Sequence, residues 1–258
     1  MFLSAIKKTF FDLWDHLFFA MAVNLVFTLA TLGLSSLSFL FQGLGPGGLF
    51  IFLPLPFLLA SVLGGLATFW SKDIAVVGSA KFADLVPHLA ASWKASLVFG
   101  VAWLVLVAGF LFGVPFYTAI NPILGFVFGI VMAWALFFGA GMSLFYPGLN
   151  AQIEPRVRKL LKKSFMVFLA NPGISFLMAL VFVGALVLTV VTLGFFPGIV
   201  GLSLWLQVCF KFVMLKYEWM EANPEADHKK VPWSVILADD MEKVGPRSFK
   251  SLIFPWKD

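Results

Sequence analysis

The sequence predicts an all-α polytopic membrane protein, with six transmembrane helices in three hairpins and amphipathic helices at the interface. Three observations predict it. Of the 258 residues, 61% are hydrophobic and only 12% are charged, where soluble domains carry about 25% charged residues. So few charges cannot cover that much apolar surface in water. The apolar residues also come in long runs, and about 20 such residues cross a hydrocarbon core. Finally, the charges are partitioned. With six spans, all 18 Lys+Arg and all 13 Asp+Glu fall on one side. The turns on the other side, at 42–48, 118–122 and 195–198, carry none. Lysine and arginine are enriched in short cytoplasmic loops, so the charged side, with both termini, reads as cytosolic. The expected location is the bacterial inner (cytoplasmic) membrane. Five or seven spans would put charged loops outside.

The elements follow in order. In 4–16, Ile6, Phe10, Leu13, Trp14 and Leu17 recur at helical spacing, with Lys7, Lys8, Asp12, Asp15 and His16 between them. That pattern predicts an amphipathic helix lying in the interface, with Trp14 at headgroup depth. The first span is 17–41, too long for the h-region of a signal peptide, about 7–15 residues. Residues 42–48 are Gly/Pro-rich and read as a turn. The second span, 49–70, holds Pro54 and Pro56, which are expected to kink or unwind its first half. In 71–94, Phe82, Leu85, Val86, Leu89 and Trp93 oppose Lys81, Asp84, His88 and Ser92 in a second amphipathic stripe. The third span is 95–117 and the fourth is 123–145.

A basic segment separates the fourth and fifth spans. Arg156, Arg158, Lys159, Lys162 and Lys163 sit beside an apolar face of Val157, Leu160, Leu161, Phe165 and Phe168. It is expected to lie along the inner leaflet and bind anionic phospholipid headgroups. The fifth and sixth spans are 172–195 and 199–215. The chain thus divides into a membrane domain, 1–215, and a cytosolic or interfacial tail, 216–258. In the tail, 221–230 reads as a linker, and the apolar cluster Leu252, Ile253, Phe254 and Trp256 is expected to anchor the end. The arrangement of amphipathic helix, span, uncharged turn and span repeats three times without residue-level identity, as membrane hairpins alone would require.

Candidate chemistry is sparse. The single cysteine, Cys209, cannot form an internal disulfide. The net charge of +5 is concentrated beside membrane spans, which suits anionic lipid and not nucleic acid. No nucleotide-loop, zincin or serine-elbow motif is present, so no catalytic residue, metal or cofactor is assigned. Asp12/His16 and Asp84/His88 are i, i+4 pairs that could serve a lipid-modifying enzyme, although a solvated helix face produces such pairs by chance. No Asp, Glu or Arg lies at mid-depth of a span, which argues against ion-coupled pumping. Asn24, Gln207 and Lys211 mark a polar pathway for a carrier, or an interhelical hydrogen bond and a snorkelling lysine. Gly109 with Gly113, and Gly125 with Gly129, fit the small-xxx-small pattern for close helix packing. They read as packing of the third and fourth spans, with a homo-oligomer contact as the sharper alternative.

Several short runs resemble one known family. They are Asn24, Pro54-Leu55-Pro56, Phe69-Trp70-Ser71-Lys72-Asp73, Trp93-Lys94, Phe145-Tyr146-Pro147 and Ser164-Phe165. Together they resemble the YesL-like family of bacterial multi-pass membrane proteins across about residues 15–215. Members are largely of unknown function, and some are encoded near sugar-uptake systems. The tail from Trp219 departs from that pattern, and no catalytic residue carries over. The lack of ionisable groups within the spans, the lack of a motif that assembles chemistry on the cytosolic face and the short outer turns point to a non-enzymatic accessory or scaffold role for another membrane system. The alternatives are a carrier or channel for a lipid or small neutral solute, and a lipid-modifying enzyme.

Overall fold

A computed structural model describes residues 1–40, 54–154, 156–227, 231–245 and 247, with side chains for all of these but 37–40. The 42–48 turn, positions 49–53 and the 252–256 cluster lie outside the described residues. The chain is all-α: α1 (Phe2–Asp15), α2 (Leu17–Leu40), α3 (Pro54–Val77), α4 (Phe82–Ile120), α5 (Pro122–Gln152), α6 (Val157–Ala170), α7 (Pro172–Val191), α8 (Gly198–Ala222), α9 (Trp233–Ile236) and α10 (Ala238–Val244). Six of these, α2, α3, α4, α5, α7 and α8, are long and apolar enough to cross a membrane, and the chain is a multi-pass membrane protein.

The boundaries correct the sequence reading in ways local chemistry explains. Pro54 and Pro56 do not kink the described part of the second span. They are the first and third described residues of α3, which runs unbroken from Pro54 to Val77; the part of the expected span before them, 49–53, lies outside the described residues. The helix runs on past 70 to Gly78, whose positive φ of 91° suits a glycine cap. The Gly78 N–H donates to the Asp73 and Ile74 carbonyls at 3.0 Å each. The amphipathic stripe at 82–93 and the third span are one helix of 39 residues, interrupted only by a π-helical turn at Gly109–Gly113. Asn121 starts α5 by accepting the Ile123 N–H at 2.8 Å. The helix ends at Gln152, beyond the expected 145. Helix α7 ends at Val191, short of 195. Helix α8 continues through the expected boundary at 215 to Ala222, so 1–215 and 216–258 are joined inside one helix.

Helix α8 is the centre of the molecule. Val200, Leu204, Val208, Phe210, Phe212 and Val213 are fully buried, packed among α1, α2, α3, α5 and α7. Helix α7 runs antiparallel to it. Trp205 Nε1 donates to the Met178 carbonyl at 3.0 Å, and Asn171 Nδ2 donates to Tyr217 Oη at 2.7 Å.

The turn between α7 and α8 departs from the expected register. Asn24 Nδ2 donates to the Phe195 carbonyl at 3.0 Å and the Pro197 carbonyl at 2.9 Å, and Asn24 Oδ1 accepts the Val200 N–H at 3.0 Å. Ser71 Oγ donates to the Val200 carbonyl at 3.1 Å. Asn24 is roughly 11 Å from the start of α2 and Ser71 roughly 9 Å from the end of α3, at 1.5 Å per residue. Those two ends lie together, because Phe19 contacts Phe82 with ring centroids 5.0 Å apart. The 195–198 turn therefore sits in the same half of the bundle as the loop joining α3 to α4. A span-for-span repeat would have placed it at the opposite end.

Helix α1 also departs from expectation. It packs against α8 and α10, burying Ala5, Lys8, Phe11 and Leu13. The expected lipid-facing stripe is thus displaced, and Trp14 is left exposed. At the other extreme, α4 and α5 leave the bundle together. Between 101 and 140 only Gly125 is buried; Phe137 and Phe138 near the base of this antiparallel arm meet α6, and its outer part is covered by little else among the described residues.

Candidate functional site

The structure gathers the buried charges at one place. Lys8 on α1, Lys211 on α8, and Asp12 and Asp240 on α1 and α10 form one cluster. Lys211 Nζ lies 2.7 Å from Asp240 Oδ1, and Lys8 Nζ lies 3.4 Å from the same oxygen. Lys8 Nζ is also 2.9 Å from Asp12 Oδ2, one turn along α1. That contact is an ion pair outside hydrogen-bond alignment, since Asp12 Oδ2 has no aligned donor. Lys211 Nζ donates further to the Ala75 carbonyl of α3 at 3.3 Å. Lys8 is 3% and Asp240 5% exposed. Burial raises the Asp12 carboxyl above its ordinary range, and the neighbouring Lys8 charge only partly offsets this. Removing such charges from water is costly unless each is paired, and here two cations meet two anions. The arrangement ties α1, α3, α8 and α10 together electrostatically. Outside it, Arg247 Nη1 reaches Asp15 at 2.7 Å, and its guanidinium lies 4.7 Å from the Phe11 ring centroid.

By sequence, Lys8 reads as part of the polar side of the first helix and Asp240 as one of the acidic residues of the cytosolic edge, without a pairing between them, yet a signal for the pair is there. Leu237, Asp240, Met241 and Val244 share one helical face, as do Ala5, Lys8 and Asp12. A charge inside a stripe that must be buried calls for a partner. Lys211 does not snorkel outward, because Asp240 holds it.

The i, i+4 acid–histidine pairs dissolve on inspection. His16 Nδ1 donates to the Asp12 backbone carbonyl at 2.8 Å, not to its carboxylate. His88 Nε2 pairs with Asp73 Oδ2 at 2.6 Å, across the α3–α4 loop, and not with Asp84. Asp84 instead precedes the α-helical part of α4. No group of three or more His, Cys, Asp or Glu among the described residues is arranged to hold a metal ion.

The three pathway residues all have protein partners. Asn24 is saturated by the α7–α8 turn, as above. Gln207 Nε2 donates to the Pro147 carbonyl at 3.2 Å, and Gln207 Oε1 accepts from Gln152 Nε2 at 2.6 Å. These bonds fix α8 against the proline-bearing end of α5. In the basic segment, Arg156, Arg158, Lys159 and Lys162 are exposed. Lys163 instead bonds Glu154 Oε2 at 2.9 Å, and this donor holds the Glu154 carboxyl below its ordinary range. The apolar side of α6 packs on α5, with Phe165 against Phe138 and Phe168 against Phe137.

The four glycines face within the arm. A Cβ on Gly109 would meet Met132, one on Gly113 Phe128, one on Gly125 Thr118, and one on Gly129 Val114. In each case the neighbour belongs to the opposite strand of the α4–α5 hairpin.

No family model, curated protein or solved structure matches the chain.

Proposed function

We propose that this multi-pass protein is a non-enzymatic accessory or scaffold component of the bacterial cytoplasmic membrane, with both termini cytosolic. The α4–α5 arm carries the proposal. From 101 to 120 it extends roughly 30 Å beyond the last buried residue of α4, Gly100, at 1.5 Å per residue. That is about the thickness of a hydrocarbon core. Along it Phe112, Phe116, Phe126, Val131 and Trp134 are exposed, and the glycines that could have closed a second contact are used inside the hairpin. An arm of this length, little covered by the other described residues, offers another membrane protein a long apolar face. The buried ionisable groups support the same reading, because Lys8, Asp12, Lys211 and Asp240 are engaged with one another. The exposed cations Arg158, Lys159 and Lys162 face anionic phospholipid.

Affinity purification of the tagged chain from its native membranes in mild detergent tests the proposal. The expected result is one partner in stoichiometric amount. Recovery of the chain alone, together with solute flux after reconstitution in proteoliposomes, would overturn it in favour of a carrier.

A further inference from the structure

A cavity of about 200 Å³ lies between α3, α4, α5, α7 and α8. Of its polar lining, Ser61 donates to the Phe57 carbonyl at 2.9 Å and Tyr146 to the Ala95 carbonyl at 2.8 Å. Helix α3 contributes Ser61, Gly64, Gly65 and Thr68, one face at i, i+3, i+4 and i+7. The glycines let α4 approach so closely that a Cβ on Gly65 would strike Ser96. Ser96, Asn150 and Ser203 enter the lining from α4, α5 and α8.

Thr68, Ser96, Asn150 and Ser203 are each no more than 8% exposed. Among the described residues, none of the four makes a side-chain hydrogen bond. Ser92 Oγ, one turn before Ser96, is also buried without a partner. Elsewhere Asn24 and Gln207 are closely matched, whereas Thr9 Oγ1 and Asp12 Oδ2 are not. None of the four is among the fully buried polar atoms left without a partner, so their hydroxyl and amide atoms keep accessible surface, and an occupant of the cavity can reach them and make the bonds the protein does not.

The occupant's chemistry follows from the lining. No ionisable carboxylate, amine or imidazole borders the cavity, which excludes a charged ligand that would have to be desolvated without a counterion. Three hydroxyls and a carboxamide offer both donors and acceptors, while Phe99, Phe182 and Leu206 supply apolar walls. The volume is below the ~300 Å³ at which pockets for drug-sized ligands begin. We infer that this cavity binds a small uncharged hydrogen-bonding solute, of the diol or triol class, through Asn150, Thr68, Ser96 and Ser203. The site goes beyond the accessory role and does not depend on it.

Cysteine reactivity in nanodiscs tests the inference. Ser203→Cys is placed in a Cys209→Ala background and treated with methyl methanethiosulfonate, a small neutral thiol reagent. The thiolate attacks the reagent sulfur, forming a mixed disulfide and releasing methanesulfinate. Val183→Cys, on an exposed apolar position of α7, and Glu225→Cys, in the exposed segment after α8, are the references. Ser203→Cys should react at least about tenfold faster than Val183→Cys, since only a polar, accessible site sustains thiolate. Propylene glycol, at up to about 1 M, should slow that reaction at least about threefold by occupancy, while leaving Glu225→Cys unchanged. Adding Asn150→Leu should abolish the protection. A rate no faster than Val183→Cys would mean a dry void and overturn the inference. Fast reaction without protection by propylene glycol would mean a space filled by water alone, and would overturn it equally. Ser96→Cys serves as the second reporter if Ser203→Cys is not monodisperse.

Discussion

Asp240 Oδ1 meets two lysine ammonium groups at once, and this makes it the most consequential single atom of the described fold. Replacing Asp240 with Ala leaves Lys211 and the almost wholly buried Lys8 without their shared counterion. Breaking a buried pair in this way costs about 3–5 kcal/mol. Denaturant unfolding of purified Asp240→Ala should show a loss of that order. The half-exposed Arg247–Asp15 pair is of a different kind; Asp15→Asn should cost no more than about 1 kcal/mol. A second prediction concerns pH. The Asp12 carboxyl is raised above the ordinary carboxylate range in the folded state, chiefly by burial. The folded state therefore holds its proton more tightly than the unfolded chain does. The resulting stabilisation is complete below the unfolded value and is lost as pH rises through the raised folded value. Unfolding midpoints across that window should fall with pH for the native chain more steeply than for Asp12→Asn; equal slopes would exclude Asp12 as their source. Several of the short polar and aromatic runs of the sequence have structural tasks at this scale. Asn24 and Ser71 hold the start of α8, Trp70 donates to the Lys81 carbonyl at 3.3 Å, and Tyr146 donates to the Ala95 carbonyl at 2.8 Å.

At the scale of elements, the close approach of α4 and α5 depends unequally on its glycines. A Cβ at Gly125 would lie 2.5 Å from the Thr118 backbone Cα, whereas one at Gly129 would be 3.7 Å from Val114. The first requires backbone movement and the second is an ordinary contact. Gly125→Ala should therefore destabilise by about 1–3 kcal/mol, and Gly129→Ala should stay within about 0.5 kcal/mol, read from thermal unfolding in the same detergent. In α6, exchanging Arg158, Lys159 and Lys162 for Gln should reduce co-purifying anionic lipid, each cation contributing about 1 kcal/mol near a charged surface. Lys163→Gln, whose ammonium is already held by Glu154, should leave the lipid content unchanged. The six long helices were legible in the sequence because long apolar runs have few other fates. The position of the α7–α8 turn was not, because it rests on Asn24 and Ser71 bonding to backbone groups more than 120 residues away. Periodicity is blind to such pairs. The burial of α1 was missed for a related reason: a lysine in the stripe reads as an exposed residue until Asp240 is brought to it. Thr68 was legible as a polar position within a span. Ser96, Asn150 and Ser203 join it only once four helices are packed.

At the scale of the whole molecule, a tightly interlocked bundle around α8 carries an arm that it does not cover. The contrast is sharp. The apolar window of α8 is 72% buried, while those of α4 and α5 are 6% buried. A bundle needs no such arm for its own stability, since no residue between 101 and 140 belongs to the buried hydrophobic core, while Ala95, Leu144, Phe145, Tyr146 and Leu149 outside that stretch do. The accessory role makes it the docking element, with lipid covering whatever a partner does not. Site-specific photocrosslinking along the arm tests this most directly. A benzophenone side chain is placed in turn at Leu111, Phe116, Phe126, Val131 and Trp134, all exposed, and illuminated in native membranes. The account predicts adducts with one protein of discrete mass, from positions forming a contiguous face and not from the others. Lipid adducts at every position, or adducts only with a second copy of the chain, would contradict it.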